Sequence, residues 1–210
     1  MQPFLRRSLN VVRAMAAAAW PAPVPPPPDW PAPTGLAGES DRARALYLDL
    51  LIRVLINSVY RDADTSTEGR GRQHDPASRE VGRDWPVTAH SMIGRRRMES
   101  LRDLAETALR DGIPGDFIET GVWRGGACVL MRGILAAYGE RERRVHVADS
   151  FAGLPPPDPR YPADANDKCH EFSELAISRA QVEDTFRSYG LLDEQVAFLA
   201  RSATPDSRRH

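Results

Sequence analysis

The sequence predicts an α/β domain built on a parallel sheet, and three observations carry that prediction. Short apolar runs at residues 116–119, 145–148 and 196–199 read as buried strands. Stretches with helical spacing separate them, so strand, helix, strand, helix, strand recurs at lengths that make right-handed βαβ units. The first strand runs into a glycine-bearing turn, Glu119-Thr120-Gly121-Val122-Trp123-Arg124-Gly125-Gly126, where backbone can come close to a ligand.

Residues 1–40 precede any packed element. Eight of the 18 prolines lie between Pro21 and Pro33, which removes backbone donors and favours an extended spacer. The first 20 residues carry Arg6, Arg7 and Arg13 and no acid. Their apolar stretch is short and broken by Arg13, so they read as a disordered start and not as a targeting peptide. Leu46, Leu50, Leu51, Val54 and Leu55 fall on one helical face and predict a helix over 42–60. Residues 61–83 are charged and nearly free of large apolar side chains, which predicts a mobile loop. A second helix carries Met98, Leu101, Leu104, Ala105 and Ala108 on one face and is stopped by Gly112 and Pro114. An N-terminal helical segment thus spans 41–114.

The α/β part spans 115–199. Val129, Leu130, Ile134, Leu135 and Tyr138 mark the helix after the glycine turn, which ends at Gly139. The second strand leads into Asp149-Ser150, and a Pro-rich acidic loop follows over 153–170. Leu175, Val182, Phe186 and Tyr189 mark a third helix, closed by Gly190, before the third strand.

A formal net charge of -1 gives no bulk electrostatic case for nucleic acid or an anionic membrane. There is no apolar run of about 18 residues to cross a bilayer. Cys128 and Cys169 are too few for a disulfide framework and have no paired metal spacing, so a reducing cytoplasm is the simplest home.

The candidate chemistry sits at the strand ends. Glu119 closes the first strand and Asp149 the second, 28 residues after Gly121. An acid at the latter place can accept both ribose hydroxyls of a nucleoside. A dinucleotide site wants G-x-G-x-x-G so that pyrophosphate can rest on a helix N-terminus. Here the spacing is G-x-x-x-G-G, with Glu119 just ahead. That carboxylate would repel a pyrophosphate and suits the cationic amino acid part of S-adenosylmethionine. A glycine turn that serves only helix packing stays open as the alternative.

Residues 115–128, Gly115-Asp116-Phe117-Ile118-Glu119-Thr120-Gly121-Val122-Trp123-Arg124-Gly125-Gly126-Ala127-Cys128, resemble the signature of the macrocin-type O-methyltransferases. These S-adenosylmethionine-dependent enzymes methylate sugar hydroxyls of macrolide and related antibiotics. Ser91-Met92-Ile93-Gly94, the stretch from Val147 through Asp149 to Pro155, and the stretch from Tyr189 to Phe198 are similar to the same family. The resemblance implies a class I methyltransferase (Rossmann-like) fold and a small-molecule hydroxyl acceptor, a sugar or secondary metabolite. It also implies Mg²⁺ and a homodimer. Carried over, it has Glu119, Thr120, Gly121, Val122, Trp123, Gly125 and Gly126 hold the amino acid moiety. Asp149 binds the ribose, Ser150 and Phe151 lie beside it, and Met92 and Ile93 belong to a covering segment. For Trp123, packing of the turn and direct contact both stay open, and Arg124 reads equally as a surface residue.

In that family a later strand ends in an Asp-Gly-Asp type segment and a paired Asp-Asp follows. Such oxygen-rich clusters suit Mg²⁺ and would supply the general base. Neither follows Leu199 here, so the catalytic residues stay unknown. The expectation is a C-terminally truncated fragment holding the first three strands, with 200–210 a polar tail outside the family. Such a chain is expected to bind cofactor weakly or not at all, to have no turnover, and to aggregate through its unpaired first strand. Two other functions are weighed: a non-catalytic cofactor-binding or dimerising remnant, and an NAD-dependent oxidoreductase. Asp158, Asp164, Asp167, Glu171 and Glu174 read as a solvated loop. His90 and His170 have no second ligand at metal spacing, and His146 faces away from the expected site. Neither cysteine has a local His or Asp partner that would mark a nucleophile.

Overall fold

Helix α1 (Glu39–Leu55), helix α2 (Pro76–Val81) and helix α3 (Arg95–Arg110) precede strand β1 (Phe117–Thr120). Helix α4 (Gly126–Ala137), strand β2 (Val145–Asp149), helix α5 (Arg179–Ser188) and strand β3 (Val196–Ala200) follow. The structure is a computed structural model that describes residues 38–65 and 72–200. Most of the expected leader and the tail from 201 onward lie outside the described residues.

The three strands form a parallel sheet in the order β1-β2-β3, as the sequence predicts. Phe117 pairs with Val145, which pairs in turn with Val196. Helix α4 lies between the sheet and helices α1 and α3. Its residues from Gly126 to Leu135 are all buried, as expected of a helix that is apolar almost all round. The one charge among them, Arg132, forms a fork with Asp193, with Nε 3.0 Å from Oδ1 and Nη2 2.5 Å from Oδ2. That pair ties the turn before β3 to α4. Gln195 Nε2 donates to the carbonyls of Glu140 (3.1 Å) and Arg143 (2.7 Å) and fastens the same turn to the loop before β2.

Two helical expectations need correction. Helix α1 ends at Leu55 and not at 60, because Asn57 turns left-handed (φ 50°) and Ser58 N–H bonds back to Arg53 O. Its buried face is Leu48, Leu51, Ile52 and Leu55, while Leu46 and Leu50 stay half exposed at 51% and 56%. Both sets satisfy helical spacing, and packing against α4 selects between them. In α3, Met98 and Ala105 face inward and Leu104 is exposed.

The larger correction concerns residues 61–83, expected as a mobile loop. They contain α2, whose Asp75 cap accepts from the N–H groups of Ala77 (3.2 Å) and Ser78 (3.0 Å). Arg79 on that helix is 2% exposed. Its Nε donates to Asp84 Oδ2 (2.6 Å), and its Nη1 donates to Asp62 Oδ1 (3.0 Å) and to the Ile56 carbonyl. Arg79, Asp62 and Asp84 thus pair with one another inside the molecule instead of facing water.

Removing one partner of a buried ion pair costs about 3–5 kcal/mol. Arg79→Ala is therefore expected to lower the melting temperature by roughly 6–20 °C, at about 2–4 °C per kcal/mol for a chain of this size. Among the described strands β1 lies at one edge of the sheet, with Ile118 58% exposed. Sedimentation velocity is expected to show self-association that rises with concentration and is suppressed by Ile118→Lys.

Candidate cofactor site

The carboxyl ends of β1 and β2 converge where ligands bind in open α/β sheets. A cavity of about 370 Å³ opens there, lined by Ala148, Asp149, Ser150, Leu199 and Ala200. The glycine turn borders it through Asp149. Val122 N–H donates to Asp149 Oδ2 at 2.7 Å, and Phe151 N–H donates to Oδ1 at 2.9 Å. One carboxylate thus sets the loop after β1 relative to the loop after β2. Trp123 (φ 48°) and Phe151 (φ 54°), one in each loop, are both left-handed, a conformation that costs non-glycine residues about 1–2 kcal/mol.

The three glycines of the turn have different surroundings. A Cβ on Gly121 (φ 81°) would meet no atom within 4 Å, so this residue faces open space. On Gly125 a Cβ would run into Val182 Cγ1, and on Gly126 into the His90 carbonyl and Ser91 Cβ. Helix-packing glycines and a glycine that faces open space are therefore both present. The backbone donors divide in the same way. Gly121 N–H goes to Ala148 O (2.9 Å), Gly125 N–H to Val122 O (2.8 Å) and Gly126 N–H to His90 O (2.9 Å). The N–H groups of Trp123 and Arg124 are the turn's donors that have no acceptor among the described residues.

Glu119 sits under the start of α4. The Cys128 thiol, in the first turn of α4, donates to its Oε2 (3.0 Å). Burial raises the Glu119 pKa, hydrogen bonding by Cys128 opposes that shift, and the Asp149 charge adds to it. Burial and the same carboxylate push the Cys128 thiol well above its ordinary range. This cysteine is therefore a donor to Glu119 and no nucleophile.

The remaining predicted residues are placed as follows. Thr120 is exposed at the end of β1 and Ser150 Oγ donates to Gly153 O (2.9 Å). Trp123 Nε1 donates to Glu174 O (2.8 Å), which latches the loop before α5 onto the glycine turn. Met92 and Ile93 follow the crossing at His90 and Ser91, and their carbonyls lie over Gly82 at the end of α2. Arg124, read as a possible surface residue, instead donates through Nη1 to the carbonyls of Pro86, Val87 and Ala89. His146 bonds Asp116 (2.8 Å), the residue just before β1. In the acidic loop, Asp158 pairs with Arg160 (2.5 Å) and Asp167 accepts from Cys169 N–H (2.7 Å).

A family model for the macrocin O-methyltransferases (TylF) matches residues 44–202, which take in both halves of this arrangement. The chain belongs to that family. It is 50% identical over 162 residues to the mycinamicin III 3''-O-methyltransferase of Micromonospora griseorubida, covering 73% of this chain and 63% of that one. It is 47% identical over 162 residues to a tetracenomycin-C 4'-O-methyltransferase of Streptomyces olivaceus, covering 76% and 62%. Demethyldecarbamoylnovobiocin O-methyltransferase of Streptomyces niveus is 47% identical over 167 residues, covering 78% and 64%. The solved structure of the O-methyltransferase NovP superposes with a TM-score of 0.69 at 47% identity, covering 75% and 64%. The sheet is thus the Rossmann-like sheet of a methyltransferase. The chain spans less than two thirds of the length of each of these relatives.

The sequence left Cys128 and Arg124 without roles, because neither contact is local: Cys128 is nine residues from Glu119, and Arg124 is 35 or more from the carbonyls it holds. Because folding raises the Glu119 pKa, its ionised form costs stability at neutral pH. That cost disappears as pH falls below its ordinary value of 4.5. Glu119→Gln is expected to melt above the wild type at pH 7, by about 2–4 °C for each kcal/mol relieved. The gap should close in melts taken at and below pH 4.5.

Proposed function

We propose that the chain binds S-adenosylmethionine at the Glu119–Gly126 turn and takes part in methyl transfer to a hydroxyl of a sugar or secondary metabolite. The observation that carries this reading is the donor and charge pattern of the turn. Glu119 is a partly buried carboxylate whose neighbours include the Cys128 donor and the like charge of Asp149, with no cation among the groups that shift it. An ammonium or sulfonium supplies the missing positive charge, and a dinucleotide phosphate would be repelled. The N–H groups of Trp123 and Arg124, which have no acceptor among the described residues, suit the carboxylate of the amino acid moiety. Asp149 keeps lone pairs beyond its two backbone bonds for ribose hydroxyls, at the mouth of the cavity that Ser150 also lines.

When bound, the cofactor supplies a methyl group on a positively charged sulfur. The chain's own residues bind and orient it. Glu119 faces the positive charge, the turn from Gly121 to Gly126 holds the amino acid end, and Asp149 fixes the nucleoside. In this reading 115–199 is the cofactor-binding half and 41–114, with Met92 and Ile93, is the segment that covers it. By their names, the relatives above act on a rhamnosyl-tetracenomycin C, on mycinamicin III and on demethyldecarbamoylnovobiocin, which favours a small-molecule acceptor. Among the described residues no group of three or more His, Cys, Asp or Glu can hold a metal ion, so Mg²⁺ is assigned to none of them. No described helix is long and apolar enough to cross a membrane, and the same reading takes the protein as a cytoplasmic homodimer.

Calorimetry with S-adenosylhomocysteine and with NADH tests the cofactor. Weak binding of S-adenosylhomocysteine that is lost in Asp149→Ala, with no NADH binding, is the expected outcome. NADH binding in its place would overturn the reading. Methyl transfer to a deoxysugar-bearing acceptor, assayed with added Mg²⁺, separates an active enzyme from a chain that binds cofactor without turnover.

A further inference from the structure

Residues 86–91 cross the glycine turn as a strap that bends at Val87, Thr88 and His90, and two opposite charges grip it. Asp62 Oδ2 accepts from Thr88 N–H (2.5 Å), Thr88 Oγ (2.9 Å) and Ala89 N–H (3.0 Å). Its other oxygen takes Arg79 Nη1 at 3.0 Å. Burial alone would raise the Asp62 carboxyl, but the Thr88 donors and Arg79 outweigh it and hold it below the usual carboxylate range. Arg124 Nη1 donates to Val87 O (2.8 Å), Ala89 O (2.9 Å) and Pro86 O (3.1 Å). Two of the strap's amides, those of Thr88 and Ala89, thus go to an anion, and three of its carbonyls go to a cation.

The strap then reaches the helix that carries the turn. His90 and Ser91 N–H both donate to Leu55 O, and His90 O accepts from Gly126 N–H. His90 Nδ1 lies 2.8 Å from the Tyr189 hydroxyl. The Arg124 guanidinium stacks 4.2 Å over the ring of Trp123, the left-handed residue of the turn. The side chain that holds the strap is therefore attached to the two residues whose N–H groups have no acceptor among the described residues.

We propose that Asp62 and Arg124 are positioning residues for the cofactor: by clamping residues 86–91 they fix the Trp123–Arg124 backbone in its binding conformation. This inference rests on the cofactor reading of the turn. Arg124 uses a single nitrogen for all three strap carbonyls, so a lysine ammonium, with three donors on one nitrogen, can replace it there.

The test is S-adenosylhomocysteine affinity by calorimetry, with melting temperature measured in parallel on the full 210-residue chain. Arg124→Ala is expected to weaken binding about tenfold or more, in line with coupling through such networks. Arg124→Lys is expected to stay within about threefold of the wild type. Amide exchange at Thr88 and Ala89 should speed up in Arg124→Ala and not in Arg124→Lys. If Arg124→Ala does not fold, Thr88→Val, which removes one donor to Asp62, is read in its place and should weaken binding about two- to threefold. Wild-type affinity in Arg124→Ala, or in Thr88→Val where that is read, overturns the inference and leaves the cofactor reading standing. So does a loss that lysine fails to rescue. A wild-type chain that binds no S-adenosylhomocysteine overturns the cofactor reading and the inference with it.

Discussion

Helix α4 has nine consecutive residues from Ala127 to Leu135 buried, and the rest of the structure follows from covering it. A helix without a polar face cannot sit on one side of a sheet with the other side in water. Strands β1 and β2 cover one side, and α1 and α3 the other. Covering that second side brings the chain between α1 and α3 across the N-terminus of α4. The crossing happens at Gly126, where a side chain would collide with the His90 carbonyl. The place where the two halves meet is thus also the place where the turn presents its open face.

The electrostatics of the site follow from the same packing. Glu119 is held at the first turn of α4, where the helix amides favour an anion even as burial disfavours one. Asp149 stands nearby and adds like charge. Burial and that like charge both disfavour the ionised Glu119. The Arg79 cluster obeys the opposite rule, since Asp62 and Asp84 compensate its guanidinium inside the molecule. Arg79 therefore belongs to the scaffold, whereas the proposed cofactor reading gives Glu119 and Asp149 to a ligand.

Much of the α/β half was legible in the sequence because its signals are local. Strand alternation, the glycine turn and the stops at Gly139 and Gly190 each act within a few residues, and Asp149 lies where an acid at a strand end should. The N-terminal half was less legible. Leu46 and Leu50 share helical spacing with the residues that are buried, and only contact with α4 distinguishes them. Arg79 lies in a stretch rich in charge, and its partners Asp62 and Asp84 are recognisable only once the chain has folded back. Arg124 shows the same limit at the site, since its acceptors are carbonyls, which every residue carries and no pattern marks. Gly125 and Gly126 match a ligand-binding motif in the sequence, yet protein atoms fill the space beside both.

The order of the sheet bears on how the chain is made. Each strand pairs with the one just before it in sequence, from β1 to β2 to β3. Synthesis proceeds from the N-terminus, and domains tend to fold as they emerge. The first βαβ unit can therefore close around α4 before α5 and β3 leave the ribosome. Helices α1 and α3 are already available to cover α4 at that moment. A nascent chain with this topology keeps its most apolar helix exposed for only a short interval.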